Sequence, residues 1–403
     1  MNSSRLSSQP TRDPDFAPTV DSDIVGKPTA VKPQRLLSID LLRGLTIAFM
    51  ILVNNQTGPE PFHQLSHSDW NGFTATDLVF PTFLLLVGLT TVLSTAARLA
   101  RGATRKELFL HTLRRAVLLI LFGFVVNNFP FFHLATARYY GVLPRIGICY
   151  FVVATLYLLS PTWKDKAVIA VACLVGYWAL MRFVPVPGFG VPTHGFPIND
   201  RDANLAAWLD RQIFSAPHLY ERTRDPEGLL STLPAIATTL FGLLAALWLR
   251  SANSTARKAA MLAIAGAIFL GLGLAWDPFF PINKKLWTSS FTLYAGGWSL
   301  LLMAASIYVA DILRLGRPKD PTAHPLLYQP LMVFGTNAIL AYMISELGAS
   351  ILHAAHLKSP ITHFFATAIP HPAWYSLLYS LAFVLVCWLL VLPLYRKRIF
   401  LRI

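Results

Sequence analysis

Residues Arg35–Ala97 read RLLSIDLLRGLTIAFMILVNNQTGPEPFHQLSHSDWNGFTATDLVFPTFLLLVGLTTVLSTAA. The stretch holds two apolar runs of membrane-spanning length, joined by a short polar segment that carries His67. Charged residues also lie inside the runs, Asp40 and Arg43 in the first and Asp77 in the second. A charge inside a bilayer span costs on the order of 2.5 to 3.5 kcal/mol, so such residues mark a pathway, a pair or a site. We therefore predict that this hairpin holds the active centre.

The composition of the chain is that of a membrane protein. Of its 403 residues, 54% are hydrophobic and 13% are charged, whereas about 25% are charged in a typical soluble domain. The mean hydropathy is correspondingly high, at +0.51. The three cysteines lie far apart within apolar runs, so they predict neither disulfides nor a zinc site. His353 and His356 lie near each other without a carboxylate cluster, so we expect no metal.

Ten apolar runs are long enough to cross roughly 30 Å of hydrocarbon as helices that rise about 1.5 Å per residue. They lie near residues 36–55, 73–96, 108–128, 143–160, 166–183, 229–249, 259–276, 289–313, 330–353 and 374–395. The sequence therefore predicts an all-α fold, a polytopic membrane bundle of about ten transmembrane helices in one domain of residues 35–403.

Two segments outside these runs have their own character. Residues 1–34 are rich in Ser, Pro and Asp and have no apolar core, a composition typical of a disordered tail. Residues 184–228 form the longest loop between runs. Part of this loop reads RDANLAAWLDRQIF, and its apolar residues recur at helical spacing, which predicts a short amphipathic helix.

The lysine and arginine residues predict the orientation in the membrane. With ten spans both termini lie on one side, and 23 of the 34 basic residues then fall on that side of the bilayer. Because cytoplasmic loops carry the excess of Lys and Arg, we predict that both termini are cytoplasmic. The loop with His67 is then on the outside. The net charge of +14 follows from this topology, so we expect no nucleic-acid partner.

Polar residues around the first hairpin are of types that support group transfer. An imidazole such as His67 can take a proton from an attacking amine or act as a nucleophile, although a solvated loop histidine is the plainer interpretation. The amide of Asn54 can stabilise an oxyanion or cap its helix. Asp77 can favour the helix N-terminus or orient a histidine. Glu346, deep in the ninth run, needs a polar partner.

Other charged residues have two interpretations each. Asp40 and Arg43 lie three residues apart on one helix face, where they can neutralise each other or bind an anion. Arg145 enters a span, and its guanidinium must have a partner such as a phosphate or a carboxylate. Lys284 and Lys285 lie at the outer end of the eighth run, where they are either interfacial anchors or ligands for a substrate.

Six ordered blocks of sequence resemble the heparan-alpha-glucosaminide N-acetyltransferase family, including its bacterial members. The first two are SIDLLRGLTIAFMILVNN and HSDWNGFTATDLVFP. The likeness continues through GVLPRIGICY, DPEGLLSTLPAIATTLFG, PINKKLWTSSFTLYAGG and PLMVFGTNAILAYMISELG. It covers nearly all of the chain after residue 34.

The resemblance implies an enzyme that transfers an acetyl group from cytoplasmic acetyl-CoA, its co-substrate, to an amino sugar or glycan across a bacterial inner membrane. It implies His67 and Asn54 as catalytic residues. We expect the donor to be bound by Asp40, Arg43, Arg145 and Asn337. We expect the acceptor to be bound by Asp77, Trp70, Asn71, Lys284, Lys285 and Glu346.

Several alternatives stay open at this stage. An amino-sugar transporter of the inner membrane is the main competing function, although no inverted repeat or pair of broken helices marks a midplane site. A purely structural scaffold would leave the charges inside the spans without a role. The sequence does not distinguish a covalent acetyl-histidine from direct transfer, and it leaves open the acceptor, the length of the acyl chain and the oligomeric state, including a homodimer.

Overall fold

The computed structural model describes residues 36–192, 198, 200–315 and 328–400. Within these ranges the chain forms thirteen α-helices and no β-strand beyond a single bridge pair between Val186 and Gly190. The predicted all-α fold is confirmed. The predicted tail of residues 1–34 lies outside the described residues.

The helices differ widely in the length of the segments that connect them. They are α1 (Leu37–Asn54), α2 (Val79–Leu99), α3 (Arg105–Asn128), α4 (Val142–Leu159), α5 (Trp163–Phe183), α6 (Leu205–Phe214), α7 (Thr232–Leu249), α8 (Thr255–Trp276), α9 (Ser289–Ile307), α10 (Gln329–Thr336), α11 (Ala338–Ala354), α12 (Lys358–Ala368) and α13 (Pro372–Arg396). A 3₁₀ turn, Ala75–Leu78, precedes α2, and a π-helical turn, Tyr308–Ile312, extends α9.

In the described part of the chain, nine of these helices are long and apolar enough to cross a membrane, or ten if the bent pair α10–α11 is one span. They form an inner and an outer set. We compare the apolar 18-residue stretch of each helix. In α1, α2, α4, α7 and α9 between 56% and 78% of this stretch is buried, but in α3, α5, α8 and α13 only 22% to 33% is buried. The less buried helices expose apolar side chains, as expected where a helix faces lipid.

Close backbone approach holds the inner helices together. A Cβ added at Gly88 of α2 would lie 1.9 Å from the carbonyl oxygen of Thr239, and one added at Gly242 of α7 would lie 1.8 Å from that of Leu85. Small residues at such crossings let membrane helices pack backbone to backbone. The α2–α7 pair is therefore a rigid wall of the bundle.

The predicted ninth span, residues 330–353, is wrong as a single helix. It is divided into α10 and α11, which meet at 86°. The break falls at Asn337, whose φ of −125° and ψ of 41° are not helical. Two residues earlier, Gly335 lies so close to α1 that an added Cβ would be 2.1 Å from the carbonyl oxygen of Asp40. This contact directs α10 along α1, so the chain must turn before it can continue outward.

Two further helices flank the spans. The amphipathic helix predicted in the long loop is confirmed as α6, which Asn204 caps by accepting a hydrogen bond from the backbone N–H of Ala207 at 2.9 Å. Helix α12 was not predicted, and none of its side chains is buried. It follows α11 directly and packs against α13.

Candidate functional site

A cavity of about 600 Å³ lies between α1, α2, α4 and α11 and opens among the connecting loops. Apolar side chains of the helices form its floor, including Met50, Phe83 and Ile146. The polar residues that line it are Asn54, His67, Ser68, Asp69, Thr76, Arg138, Tyr220, Glu221, Glu227, Lys284, Lys285, Tyr342 and Glu346. We call it the outer cavity, because the predicted orientation places its mouth outside.

His67 is held by the same residues that start the second span. Its Nδ1 lies 2.7 Å from a carboxylate oxygen of the fully buried Asp77. Asp77 also accepts hydrogen bonds from the backbone N–H groups of Ser68, at 3.2 Å, and Thr74, at 3.0 Å. Since an ionised carboxylate only accepts hydrogen bonds, Nδ1 of His67 carries the proton. Nε2 is then left with a lone pair that can act as a base or nucleophile.

Lys284 lies on the other side of the ring, with its Nζ 3.4 Å from Nε2 of His67. Burial by the surrounding protein and the charge of Lys284 lower the pKa of His67, and they outweigh the opposing effect of Asp77. Burial likewise lowers the pKa of Lys284. The imidazole is therefore neutral at pH 7. Its side chain is still 43% accessible, so a substrate in the cavity can reach it.

Asn54 is directed across the cavity, away from its own helix. Its Nδ2 donates to a carboxylate oxygen of Glu346 on α11 at 3.0 Å. The neighbouring Asn55 makes the bond expected of a helix end, from its Nδ2 to the carbonyl oxygen of Ile51 at 2.8 Å. Gln56 then binds Ser380 of α13 at 3.0 Å. Asn55 and Gln56 thus anchor the end of α1, and the side-chain amide of Asn54 faces the cavity.

Ion pairs form the mouth of the outer cavity. Arg138 donates to both carboxylate oxygens of Asp225, at 2.8 and 2.6 Å, and to Glu227 at 2.6 Å. Burial opposes ionisation of Glu227, but the charges of Arg138 and Lys284 outweigh it and lower the pKa of this carboxyl. Glu227 is therefore a carboxylate at the edge of the cavity. It can attract the ammonium group of an amine.

A second cavity, of about 210 Å³, lies between α1, α2, α3, α4 and the break between α10 and α11. Its polar lining includes Arg43 and Arg115. Arg43 donates to Asp40 at 3.1 Å and to the carbonyl oxygen of Gly335 at 3.0 Å, and the guanidinium of Arg115 lies 4.7 Å from the ring centre of Tyr150. We call it the inner cavity. Four apolar residues line both cavities and separate them: Phe83, Leu143, Ile146 and Ile339.

Comparison with known proteins identifies the family. The family model described as heparan-alpha-glucosaminide N-acetyltransferase, catalytic, matches residues 35–273. The chain belongs to this family. The human protein named heparan-alpha-glucosaminide N-acetyltransferase is 29% identical over 368 residues, which cover 78% of this chain and 53% of the relative. The mouse protein of the same name is 29% identical over 397 residues, which cover 85% and 58%. The chain thus spans about half the length of the curated relatives it matches.

Not all the residues predicted from the likeness to this N-acetyltransferase family face a cavity. Arg145 is fully buried and donates to the carbonyl oxygen of Gly228 at 3.0 Å and to the hydroxyl of Ser231, with its guanidinium 5.2 Å from the ring centre of Trp287. It lines neither cavity. These contacts connect α4 to the start of α7. Both hydrogen bonds are made by Nη2, and within the described residues the buried Nε and Nη1 atoms have no hydrogen-bond partner.

Trp70 and Asn71 also lie outside the lining of both cavities. The ring of Trp70 has the guanidinium groups of Arg201 and Arg224 at 5.5 and 5.2 Å from its centre. Asn71 accepts a hydrogen bond from Asn283 at 3.2 Å. Both residues therefore attach the loop with His67 to neighbouring outer loops.

Asn337 lies at the break between α10 and α11, where its Nδ2 donates to the carbonyl oxygen of Ile399 at 3.2 Å. It does not line the inner cavity, but Thr336 and Ala338 on either side of it do. Its position suits a residue that shapes the inner cavity.

The sequence interpretation did not single out Arg138, Glu227 or Arg115 as site residues. Glu227 lies in the DPEG block that resembles the family, and this resemblance was the one feature of the sequence that could have indicated Glu227 as a site residue. Arg115 belongs to a basic pair near the inner end of α3, a pattern that indicates orientation as readily as binding. Arg138 has no local signal, because its partners lie 87 and 89 residues away.

Proposed function

We propose that this chain is a transmembrane acetyltransferase that moves an acetyl group from cytoplasmic acetyl-CoA to the amine of an amino sugar or glycan on the periplasmic side of a bacterial inner membrane. Membership of an N-acetyltransferase family supports the reaction class. The observation that carries the proposal is the shared outer cavity, onto which the His67–Asp77 and Asn54–Glu346 pairs both open. The inner cavity with its arginines lies on the other side of a thin apolar wall.

In this proposal each part of the path has its own task. Acetyl-CoA carries phosphate charges that cannot enter hydrocarbon, so its nucleotide stays at the cytoplasmic side, where Arg43 and Arg115 supply positive charge. Only the uncharged acyl-bearing arm has to pass the apolar wall that includes Phe83. Asn54 can then polarise the thioester carbonyl by donating a hydrogen bond to its oxygen.

His67 completes the transfer by handling the proton of the acceptor. In the direct route the amine nitrogen bonds to the acetyl carbon, the carbon–sulfur bond breaks, and Nε2 takes the proton that the amine loses. In the covalent route Nε2 first bonds to the acetyl carbon as the carbon–sulfur bond breaks. The amine nitrogen then bonds to that carbon, the bond from the carbon to Nε2 breaks, and Nε2 takes the proton that the amine loses. In both routes the thiolate leaves toward the inner cavity, where it takes up a proton.

A sided assay tests the proposal. Purified protein in liposomes would receive labelled acetyl-CoA at the cytoplasmic face and glucosamine at the opposite face. We expect labelled N-acetylglucosamine to form on the glucosamine side. His67→Ala should lower the rate at least 100-fold, because general acid–base catalysis contributes about 10²–10⁴-fold.

The matched control is His63→Ala, which removes an exposed histidine of the same loop that lines neither cavity. It should transfer acetyl at close to the wild-type rate. Wild-type activity in His67→Ala would contradict the assignment. The alternative function is amino-sugar transport, which two neighbouring cavities would also allow. If the glucosamine is labelled instead, its accumulation inside the liposomes without acetyl-CoA would support transport.

A further inference from the structure

Glu346 places a carboxyl group at the middle of α11, the second helix of the bent pair. It lies on α11, lines the outer cavity and accepts a hydrogen bond from Nδ2 of Asn54 at 3.0 Å. Within the described ranges its carboxylate forms no ion pair. Ionisable residues inside membrane spans are costly and usually functional, so this hydrogen bond needs an explanation.

The chemistry of the two groups restricts how the Asn54 amide can be turned. The amide has a donor end, with two N–H groups, and an acceptor end, the carbonyl oxygen. In the structure an oxygen of the Glu346 carboxyl group accepts from Nδ2, so the contact uses the donor end. One N–H of Asn54 is used in this bond, and the second N–H is directed elsewhere. Without such a partner the two ends of an amide are easily exchanged by rotation.

A second side-chain hydrogen bond lies beside this contact. Ser345, next to Glu346 on α11, accepts a hydrogen bond at 3.4 Å from Asn55, next to Asn54 on α1. Two consecutive residues of one helix thus meet two consecutive residues of the other. The register between α1 and α11 is fixed at the level where Asn54 faces the cavity.

We propose that Glu346 is a positioning residue that turns the Asn54 amide so that its second N–H faces the thioester carbonyl. This inference rests on the proposed function, because it takes Asn54 as the group that polarises the thioester. It differs from the sequence prediction that Glu346 binds the acceptor. If Glu346 orients Asn54, it needs an acceptor oxygen, whereas to bind an ammonium group it needs a charge.

Two substitutions of Glu346 separate these roles. Glu346→Gln keeps a carbonyl oxygen that can accept from Asn54, and it should keep kcat within about fivefold of wild type. Glu346→Leu removes the acceptor, and kcat should fall by about 10²-fold, the usual effect of losing an oxyanion donor. The KM values for acetyl-CoA and glucosamine should change little in either variant, since neither substrate loses a direct contact.

A double mutant provides a second measurement. If Glu346 acts through Asn54, the Asn54→Ala variant and the Asn54→Ala, Glu346→Leu variant should have the same kcat, because coupled residues are not additive. Ser350→Ala is the matched control on α11, because Ser350 lines neither cavity, and it should stay within about threefold of wild type. Thermal unfolding in detergent shows whether each variant is folded.

Three results would overturn the inference. They are equal loss of activity in Glu346→Gln and Glu346→Leu, a multiplicative loss in the double mutant, and a rise in the KM for glucosamine with kcat unchanged. Absence of acetyl transfer by the wild-type protein would contradict the proposed function itself. The two failures are therefore distinguishable.

Discussion

His67 has two neighbours with opposite effects on its proton. Asp77, 2.7 Å from Nδ1, favours the imidazolium ion, whereas Lys284, 3.4 Å from Nε2, disfavours it. Burial is the strongest influence and acts in the same direction as Lys284, so the pKa of His67 lies below its ordinary value of 6.5. Asp77 therefore determines which nitrogen carries the proton, and Lys284 keeps the other nitrogen unprotonated. Substitutions of Asp77 and of Lys284 should therefore affect the activity in different ways.

Asp77→Asn should abolish most of the activity without removing the histidine. An asparagine amide can donate to Nδ1, which would place the proton on Nε2 and leave no lone pair toward the cavity. We expect kcat to fall by about 10²–10⁴-fold, the size of effect seen when a general base is lost. The control is Asp69→Asn, which changes a carboxylate that lines the same cavity. Activity within threefold of wild type in Asp77→Asn would show that the tautomer is not held by this contact.

Lys284→Met should move the pH profile in a defined direction. Loss of the cation removes a repulsion against the imidazolium ion, so the pKa of His67 rises. Because the proposed mechanism needs His67 in its neutral form, the acidic limb of kcat/KM should shift to higher pH. Lys285→Met is the control, since Lys285 is paired with Glu221 at 3.2 Å and should shift the limb less. A limb that stays in place in Lys284→Met, or moves to lower pH, would contradict this electrostatic account.

At the scale of single elements, the helices that sequence predicts well are those set by local patterns. The first span ends at Asn54 and the second starts at a capping box of Thr74 and Asp77, and both follow from hydropathy and capping residues. The break at Asn337 was not predicted, although Gly335, Thr336 and Asn337 interrupt the apolar run and clusters of such residues favour loops. Its cause is the contact between Gly335 and α1, which joins residues almost 300 positions apart.

Gly335→Ala tests that cause. Its added Cβ would lie 2.1 Å from a backbone oxygen of α1 that cannot move aside cheaply, and overpacking of this kind costs about 1–3 kcal/mol. We expect a lower unfolding temperature in detergent and weaker binding of coenzyme A, because Gly335 lines the inner cavity beside Arg43. Gly348→Ala on α11 is the control, since its nearest neighbour would be 3.7 Å away, at Phe383. Equal unfolding temperatures in the two variants would show that α10 can shift without cost.

At the scale of the whole molecule, the site divides into a part that sequence could reach and a part that it could not. The sequence indicated Arg43, Asp77 and Glu346 as candidate site residues, because a charged side chain inside a membrane span is costly. The pairing of Arg138 with Glu227 was out of reach, because it depends on how distant loops meet. The two cavities and the wall between them are also products of helix packing, to which α1, α2, α4 and α11 each contribute.

Sidedness is the property of the whole molecule on which the proposed reaction depends. If the predicted orientation is right, Asp69, beside His67 at the mouth of the outer cavity, faces the periplasm, while Ser251, in the turn between α7 and α8, faces the cytoplasm. In a background without native cysteines, an Asp69→Cys variant should react with a membrane-impermeant maleimide from the periplasmic side. A Ser251→Cys variant should react only after the membrane is opened, because the reagent cannot otherwise reach that turn. The reverse pattern would place His67 on the side of acetyl-CoA, and transfer would then need no path through the bilayer.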